Sequence, residues 1–310
     1  MIDGAESPDA VVAHVRSGMH VFIHGAAATP TPLVEALARR TDLEDVTLWH
    51  PHLEGPVPWT EPACAGRFRS VSLFTDANLR DAVAEGSADF VPIFLSDIPA
   101  LFTSGRVRLD AAIVQMSPPD RHGLCSLGTS VDAARAAVDT APLVLAEINA
   151  RLPRTHGPAA LPFGRVAAFC ATDRPLHERE RRPPSEVERR IGGHVADLVV
   201  DGACVQMGIG GIPDAVGEHL RVNPEIVPLV EAGVITNRLK AIHPGHIVTS
   251  FVAGTRRLFD FVADNPLVEF HPCDRTNDTL AERARLLVEI AHPDFRGDLR
   301  AAASSRRYFT

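Results

Sequence analysis

Met207-Gly208-Ile209-Gly210-Gly211-Ile212-Pro213-Asp214-Ala215-Val216 decides the fold reading. The apolar run 204–207 enters three closely spaced glycines, and Pro213 then opens an amphipathic segment. That order predicts strand, tight loop and helix N-terminus. Glycines let the backbone approach a ligand closely, and the first helical N–H groups point at whatever sits there. Such a loop suits an anion, an oxyanion or a polarised carbonyl. Pro213 fits the first helical turn, where its missing N–H costs nothing. The plain alternative is a strand-to-helix turn that binds nothing.

A dinucleotide fold is the first competitor. Gly208-x-Gly210 matches the start of that fingerprint, and Glu231 lies at a suitable distance for the ribose-binding acid. The last fingerprint position, however, is Pro213, where glycine or alanine allows close helix–strand packing. Nicotinamide binding is therefore disfavoured.

Working outward, strand-like and helix-like segments alternate. Residues 20–24, 46–50, 88–94, 111–116 and 143–148 read as strands. Residues 31–40 read as a helix with Leu33, Val34, Leu37 and Ala38 on one face. The pattern predicts an α/β protein with a mostly parallel sheet. The order helix, glycine, strand, small-residue loop, proline, helix occurs over residues 11–37 and again over 194–220. This echo suggests two related halves whose loops face one cleft, at the carboxyl ends of the strands where open α/β folds bind ligands. Residues 173–184 are charged, proline-bearing and poor in apolar side chains, as linkers are. Ser185-Glu186-Val187-Glu188 then reads as a capping box. The expected domains are residues 1–184 and 185–310.

Composition narrows the function classes. The chain has 310 residues, 45% of them hydrophobic, and a formal net charge of −8. That balance argues against a nucleic-acid or anionic-membrane binder, which needs a basic surface. The five cysteines form no CxxC pair, so neither a disulfide framework nor a structural zinc site is indicated. His50-Pro51-His52 reads as a surface turn rather than a metal site, and no metal is expected. With no basic N-terminal patch followed by an apolar core, and no run long enough to span a bilayer, a cytoplasmic location is expected.

Several segments then carry a specific resemblance. Ser117-Pro118-Pro119-Asp120-Arg121-His122-Gly123-Leu124-Cys125-Ser126-Leu127-Gly128, Leu152-Pro153-Arg154-Thr155-His156-Gly157 and residues 208–216 resemble motifs of the acetyl-CoA hydrolase/transferase family, which includes 4-hydroxybutyrate CoA-transferases. So do Leu229-Val230-Glu231-Ala232-Gly233-Val234-Ile235-Thr236-Asn237, His243-Pro244-Gly245, Asp264-Asn265-Pro266, Thr276-Asn277-Asp278 and the tail 290–296. The motifs stand in the family's order. The resemblance implies two tandem open α/β domains of class I CoA-transferase type, with the site between them. It also implies transfer of CoA from a small acyl thioester to a free carboxylate. Coenzyme A thioester is then a substrate, and no permanently bound cofactor is expected. In the family a loop glutamate attacks the thioester, and the resulting acyl–glutamyl anhydride is reopened by CoA. Gly208, Gly210 and Gly211 are the candidates for stabilising the oxyanion.

Two departures fall on functional segments. Where the family carries its catalytic glutamate, this chain has only Arg221-Val222-Asn223-Pro224-Glu225-Ile226-Val227-Pro228. After Asp278 it passes directly into a segment resembling the family's C-terminal helix, without the second glycine-rich loop that holds CoA. The second domain is thus shortened. Glu225, in the short loop, and Glu231, after an apolar run, are the candidate nucleophiles; each could equally be a solvated or structural acid. Gln115 and Ser117 are expected to face the cleft, or else to belong to a well-capped loop. Thr29 could bind a substrate carboxylate or cap the next helix. His156 could line the cleft or serve structure. Asn237, with Gly233, serves the turn after Glu231 and is a substrate-binding candidate. Arg256-Arg257 could meet CoA phosphates or be ordinary surface arginines. The enzyme reading leads; the alternative is a non-catalytic acyl-CoA or carboxylate binder, or a partner subunit of a complete homologue. A homodimer or a complex with another subunit is expected in either case.

Overall fold

The computed structural model describes residues 2–179, 182–199, 210–220, 245–273, 288 and 296–305. Its centre is a seven-stranded sheet in the order β4-β3-β2-β1-β5-β7-β9, parallel throughout. The strands are β1 (His20–Ile23), β2 (Val46–His50), β3 (Phe68–Ser72), β4 (Ala88–Phe90), β5 (Ala111–Met116), β7 (Leu143–Asn149) and β9 (Ala168–Thr172). A short antiparallel pair, β6 (Leu124–Ser126) with β8 (Ala160–Pro162), stands apart. The α/β class read from the alternation is the class observed.

Side-chain alternation divides the core between the two sheet faces. Val21, Ile23, Leu48 and Ile113 join one buried cluster with Leu33 and Leu37 of α2 (Thr31–Arg39). Phe22, Ala112, Val114, Met116 and Ala146 join the other. All six residues of β5 are buried, as a strand covered on both faces requires. Ala36 rather than Ala38 completes the buried face of α2. The strand expected over 88–94 stops at Phe90, because Pro92 cannot donate to the ladder. Glu6 donates to the Phe169 carbonyl, so the N-terminal segment meets the edge strand β9.

From β1 the chain winds outward to β4, then returns to the other side of β1 to lay down β5, β7 and β9. The crevice between β1 and β5 is therefore the topological switch point. Residues 173–179, expected to be a linker, are instead bonded across the carboxyl ends of the strands.

Past that strap, the capping box is present: Ser185 and Glu188 cap α6 (Glu186–Ala196) reciprocally. α7 (Gly211–His219) packs on α6 where Gly192 leaves no room for a side chain; a Cβ there would lie 2.7 Å from the Ala215 backbone. The chain then returns to the first sheet. β10 (Ile247–Thr249) and β11 (Val268–Phe270) pair in parallel. With α8 (Arg256–Val262) they place Leu258, Phe259, Val262, Val268 and Phe270 in the same buried cluster as Phe22. Bridges Ser130–Phe251 and His156–Glu269 fasten this return. α9 (Arg296–Ser305) ends the described chain. Among the described residues no helix is long and apolar enough to cross a membrane.

His50-Pro51-His52 is not a surface turn, and that expectation is corrected. His50 is fully buried because both ring nitrogens have partners, the Pro51 carbonyl and the Ser70 hydroxyl, each at 2.9 Å. His52 is buried between the rings of Phe74 and Phe251, with centroids at 5.5 and 4.8 Å.

Gly157 is the hinge of the second attachment. Its φ is +87°, and an added Cβ would lie 2.7 Å from the Phe270 carbonyl oxygen. Gly157→Ala is expected to cost roughly 2 kcal/mol or more, combining left-handed strain with a backbone clash. Urea unfolding reads the cost, and hydrogen exchange at Phe270, whose N–H binds the His156 carbonyl, should rise with it. An unchanged midpoint would show that this contact is dispensable.

Candidate functional site

The site is built at the carboxyl ends of β1, β5 and β7. The loop after β1 is pressed against the one after β2: Ala26 N–H donates to the His52 carbonyl at 2.9 Å, and a Cβ on Gly25 would lie 2.6 Å from the same oxygen. Thr29, fully buried, donates its hydroxyl proton to Ala26 O at 2.8 Å and accepts from Glu54 N–H at 3.2 Å. It does not cap α2, whose N-cap is Pro30 with no side-chain bond. Instead its carbonyl becomes a hub, accepting from Gln115 Nε2 at 3.1 Å and from Arg174 Nη2 at 2.8 Å.

Gln115, also fully buried, accepts from Asn149 Nδ2 at 3.1 Å, and the same amide donates to the Arg174 carbonyl at 3.0 Å. The anchor beneath this chain of bonds is Glu147. It is fully buried and takes a two-pronged guanidinium from Arg174, at 2.7 and 2.9 Å, plus the Thr172 hydroxyl at 2.6 Å. A buried carboxylate persists only when paired and hydrogen-bonded, and both conditions hold here. The reading of the sequence found Thr29 and Gln115 but missed Glu147, Asn149 and Arg174. The available signal was a lone acid inside the apolar strand β7, which demands a cation from elsewhere.

The strap continues over the neighbouring loops. His177 Nε2 lies 2.6 Å from Thr31 Oγ1. Burial above all, with Arg174 nearby, lowers the His177 pKa. Arg179 reaches Glu54 at 2.6 Å and Asp76 at 2.8 Å.

Beside the network opens a cavity of about 590 Å³. Residues 117–120 and 150–154 line it, with Leu176 from the strap and Arg256, Phe259, Asp260 and Ala263 from α8 and its end. Both loops belong to motifs singled out in the sequence. Ser117 is on the wall, with its hydroxyl accepting from Ser126 N–H at 2.9 Å and donating to the Pro118 carbonyl. Asp120 accepts from Leu124 and His122 N–H groups, which with Arg154 hold its carboxyl below the usual range. Arg154 braces the loop through the Pro118 and Leu124 carbonyls, both at 2.8 Å.

The other expected residues are placed differently. His156 stands where β11 attaches, its Nε2 3.3 Å from Asp264. Gly210 is the N-cap of α7 with φ 129°, and a Cβ there would meet nothing within 4 Å. Gly211 has a packing role, since a side chain would run into the Glu188 carboxylate. Gly208, Glu225, Glu231 and Asn237 lie outside the described residues. So the structure brings Thr29 and Gln115 into one network and Ser117 to the cavity beside it, with His156 at the β11 junction. Among the described residues no group of three or more His, Cys, Asp or Glu could hold a metal ion. Burial pushes the Cys125 thiol up to about 11 and the Cys170 thiol up to about 12, which removes both as nucleophiles at neutral pH.

Comparison with known proteins agrees with this geometry. Residues 5–166 match the family described as Acetyl-CoA hydrolase/transferase N-terminal domain. The chain is 46% identical over 285 residues to a succinyl-CoA:acetate/propanoyl-CoA:succinate CoA transferase of Fasciola hepatica, covering 87% of this chain and 59% of that one. It is 38% identical to a 4-hydroxybutyrate coenzyme A transferase of Clostridium kluyveri, covering 84% and 63%. A crystal structure of 4-hydroxybutyrate CoA-transferase from Porphyromonas gingivalis superposes with a TM-score of 0.75 at 30% identity, covering 92% and 70%. RipA from Yersinia pestis shares the fold, with a TM-score of 0.79 at 23% identity over 99% of this chain and 98% of that one. The chain belongs to the acetyl-CoA hydrolase/transferase family. It spans about three fifths of the length of the two curated relatives named here.

Three buried histidines beside these loops are expected to make the fold acid-sensitive. His24 accepts Gln115 N–H at Nδ1 and has Nε2 2.7 Å from the Ser130 carbonyl, an arrangement that needs the neutral ring. Burial lowers the pKa of His24 and of His52, and takes that of His50 from 6.5 to about 4. Protonation therefore favours the unfolded chain. The His50 contribution is complete above pH 6.5 and lost as pH falls toward 4, an effect of about 3 kcal/mol. Urea midpoints should fall steadily across that window, and less steeply in His50→Gln. A flat profile would contradict the neutral, buried assignment.

Proposed function

We propose that this chain is an acyl-CoA:carboxylate CoA-transferase, or an acyl-CoA hydrolase-like enzyme, acting on a small acyl thioester. The observation that carries the reading is the 46% identity over 87% of the chain to a CoA transferase. Support comes from a cavity lined by two of the family's own motif loops. Coenzyme A thioester and a small carboxylate are the substrates, with no permanently bound cofactor, and the protein works in the cytoplasm as a homodimer or with another subunit. We place the division of the chain at residues 1–184 and 185–310.

In this reading Glu225 or Glu231 supplies the nucleophile. Its carboxylate oxygen attacks the thioester carbonyl, and the oxyanion formed is met by backbone N–H groups of Gly208, Gly210 and Gly211. Expulsion of CoA thiolate leaves an acyl–glutamyl anhydride. CoA thiolate then attacks the glutamyl carbonyl, releasing the first carboxylate and leaving a glutamyl-CoA thioester. An acceptor carboxylate reverses the sequence. Ser117, at the cavity wall, contacts substrate, and Asn237 and His156 complete its binding. Thr29 and Gln115, whose polar atoms are engaged within the protein, position the loops from beneath.

One observation favours a second reading. The connection from residue 221 to 228 is only eight residues long and lacks the family's glutamate motif, as a binder or partner subunit would tolerate. Incubation with acetyl-CoA or succinyl-CoA and a carboxylate acceptor separates the two. The enzyme reading expects a new acyl-CoA, a borohydride- or hydroxylamine-sensitive adduct on one glutamate, and loss of turnover in Gly210→Val. If no adduct forms and the thioester survives with every acceptor, the binding reading replaces it.

A further inference from the structure

Residues 177–179 fasten more than the first-sheet loops. Arg179 N–H donates to the Gly254 carbonyl at 3.0 Å, and the Glu178 carboxylate accepts from Arg256 N–H at 3.1 Å, at the start of α8. This short stretch therefore joins the loops after β1, β2 and β3 to the returning segment 245–273. Just upstream the strap is anchored: Arg174 is paired with the buried Glu147 carboxylate, and Leu176 is sunk in the core.

His177 is the side chain of this stretch that changes charge near neutral pH. Its half-buried ring is pressed on Gly55, where an added Cβ would lie 2.5 Å from Cε1, and Nε2 lies 2.6 Å from Thr31 Oγ1. The surrounding charges leave an imidazolium there without a carboxylate of its own. Arg174 repels it. Of the three acids that face it, Glu147 is taken by Arg174 and Thr172, and Glu54 by Arg179. The third, Glu35 of α2, is exposed and screened by water. Burial first, then Arg174, lowers the ring's pKa from the usual 6.5, so its support for the closed strap is complete above pH 6.5 and is lost as pH falls.

We propose that residues 177–179 form a proton-released clasp, closed over a neutral His177 and opened when that ring takes up a proton. Opening swings the chain about its Arg174 anchor and frees Glu178 and Arg179 from Arg256 and Gly254. The returning segment is thereby loosened from the first-sheet loops. The clasp involves no thioester chemistry, so its failure and that of the enzyme reading are separate.

Amide hydrogen exchange of the full chain reads the clasp at Arg179 N–H, followed by NMR between about pH 5 and 8 and corrected for the intrinsic rate. Linkage to one proton predicts that protection falls by up to about tenfold per unit of pH below about 6.5. The β5 amides, which report global opening, serve as the reference for the rest of the fold. His177→Gln, neutral at every pH, should hold the Arg179 protection level while leaving the β5 profile as it was. His177→Arg, a permanent cation, should leave Arg179 unprotected at about pH 8 in a chain whose β5 amides stay protected. Arg179 protection that ignores pH in the wild type would overturn the proposal. So would a His177→Gln profile that still falls with acid, because another group would then be the trigger.

Discussion

The carboxylate of Glu147 is completely buried on β7, between β5 and the edge strand β9, and the site depends on how that charge is neutralised. An unpaired carboxylate there would cost several kcal/mol. Arg174, two residues past the end of β9, supplies Nε and Nη2 of its guanidinium to both carboxylate oxygens. Its backbone carbonyl accepts from Asn149, and Nη2, one of the two prongs, also donates to the Thr29 carbonyl. One electrostatic requirement thus ties β7, the β1 loop and the strap together, and Gln115 closes the circuit through β5.

The strap follows from that anchor. With Arg174 fixed, His177 meets Thr31 and Arg179 falls between Glu54 and Asp76, so the chain lies over the loops of β1, β2 and β3 in turn. Its Leu176 forms part of the cavity wall. The segment whose composition reads as a linker is the one that shapes the site in space. Rigid support of this kind is what a binding cavity needs, because side chains held by packing and by a second layer of bonds keep their geometry.

Much of this was legible in the sequence. Short strand-like, mostly apolar runs gave β1, β2, β5 and β7, and Ser185 with Glu188 gave the start of α6, because both signals are local. What escaped was long-range. Residues 173–179 look like a linker when charge is counted without partners, yet Arg174 and Arg179 have theirs 27 and 125 positions away. His50 and His52 look like surface residues until Ser70, Phe74 and Phe251 are brought beside them. Gln115 was expected to face the cleft and Thr29 to bind a carboxylate or cap the next helix, whereas their hydrogen bonds are made within the protein, which no spacing rule reveals. The return of residues 245–273 to the first sheet was equally hidden, since nothing local distinguishes a strand of one layer from a strand of the next.

A double-mutant cycle on Glu147→Gln and Arg174→Met, read by urea unfolding, tests the central claim most directly. If the buried pair organises the site, each single change should cost about 3 kcal/mol, because it leaves one partner uncompensated. The double change should then cost well below the sum, with a coupling above about 1.5 kcal/mol. Additivity within about 0.5 kcal/mol would mean that the two side chains act independently, and that something other than their pairing holds the strap across the sheet.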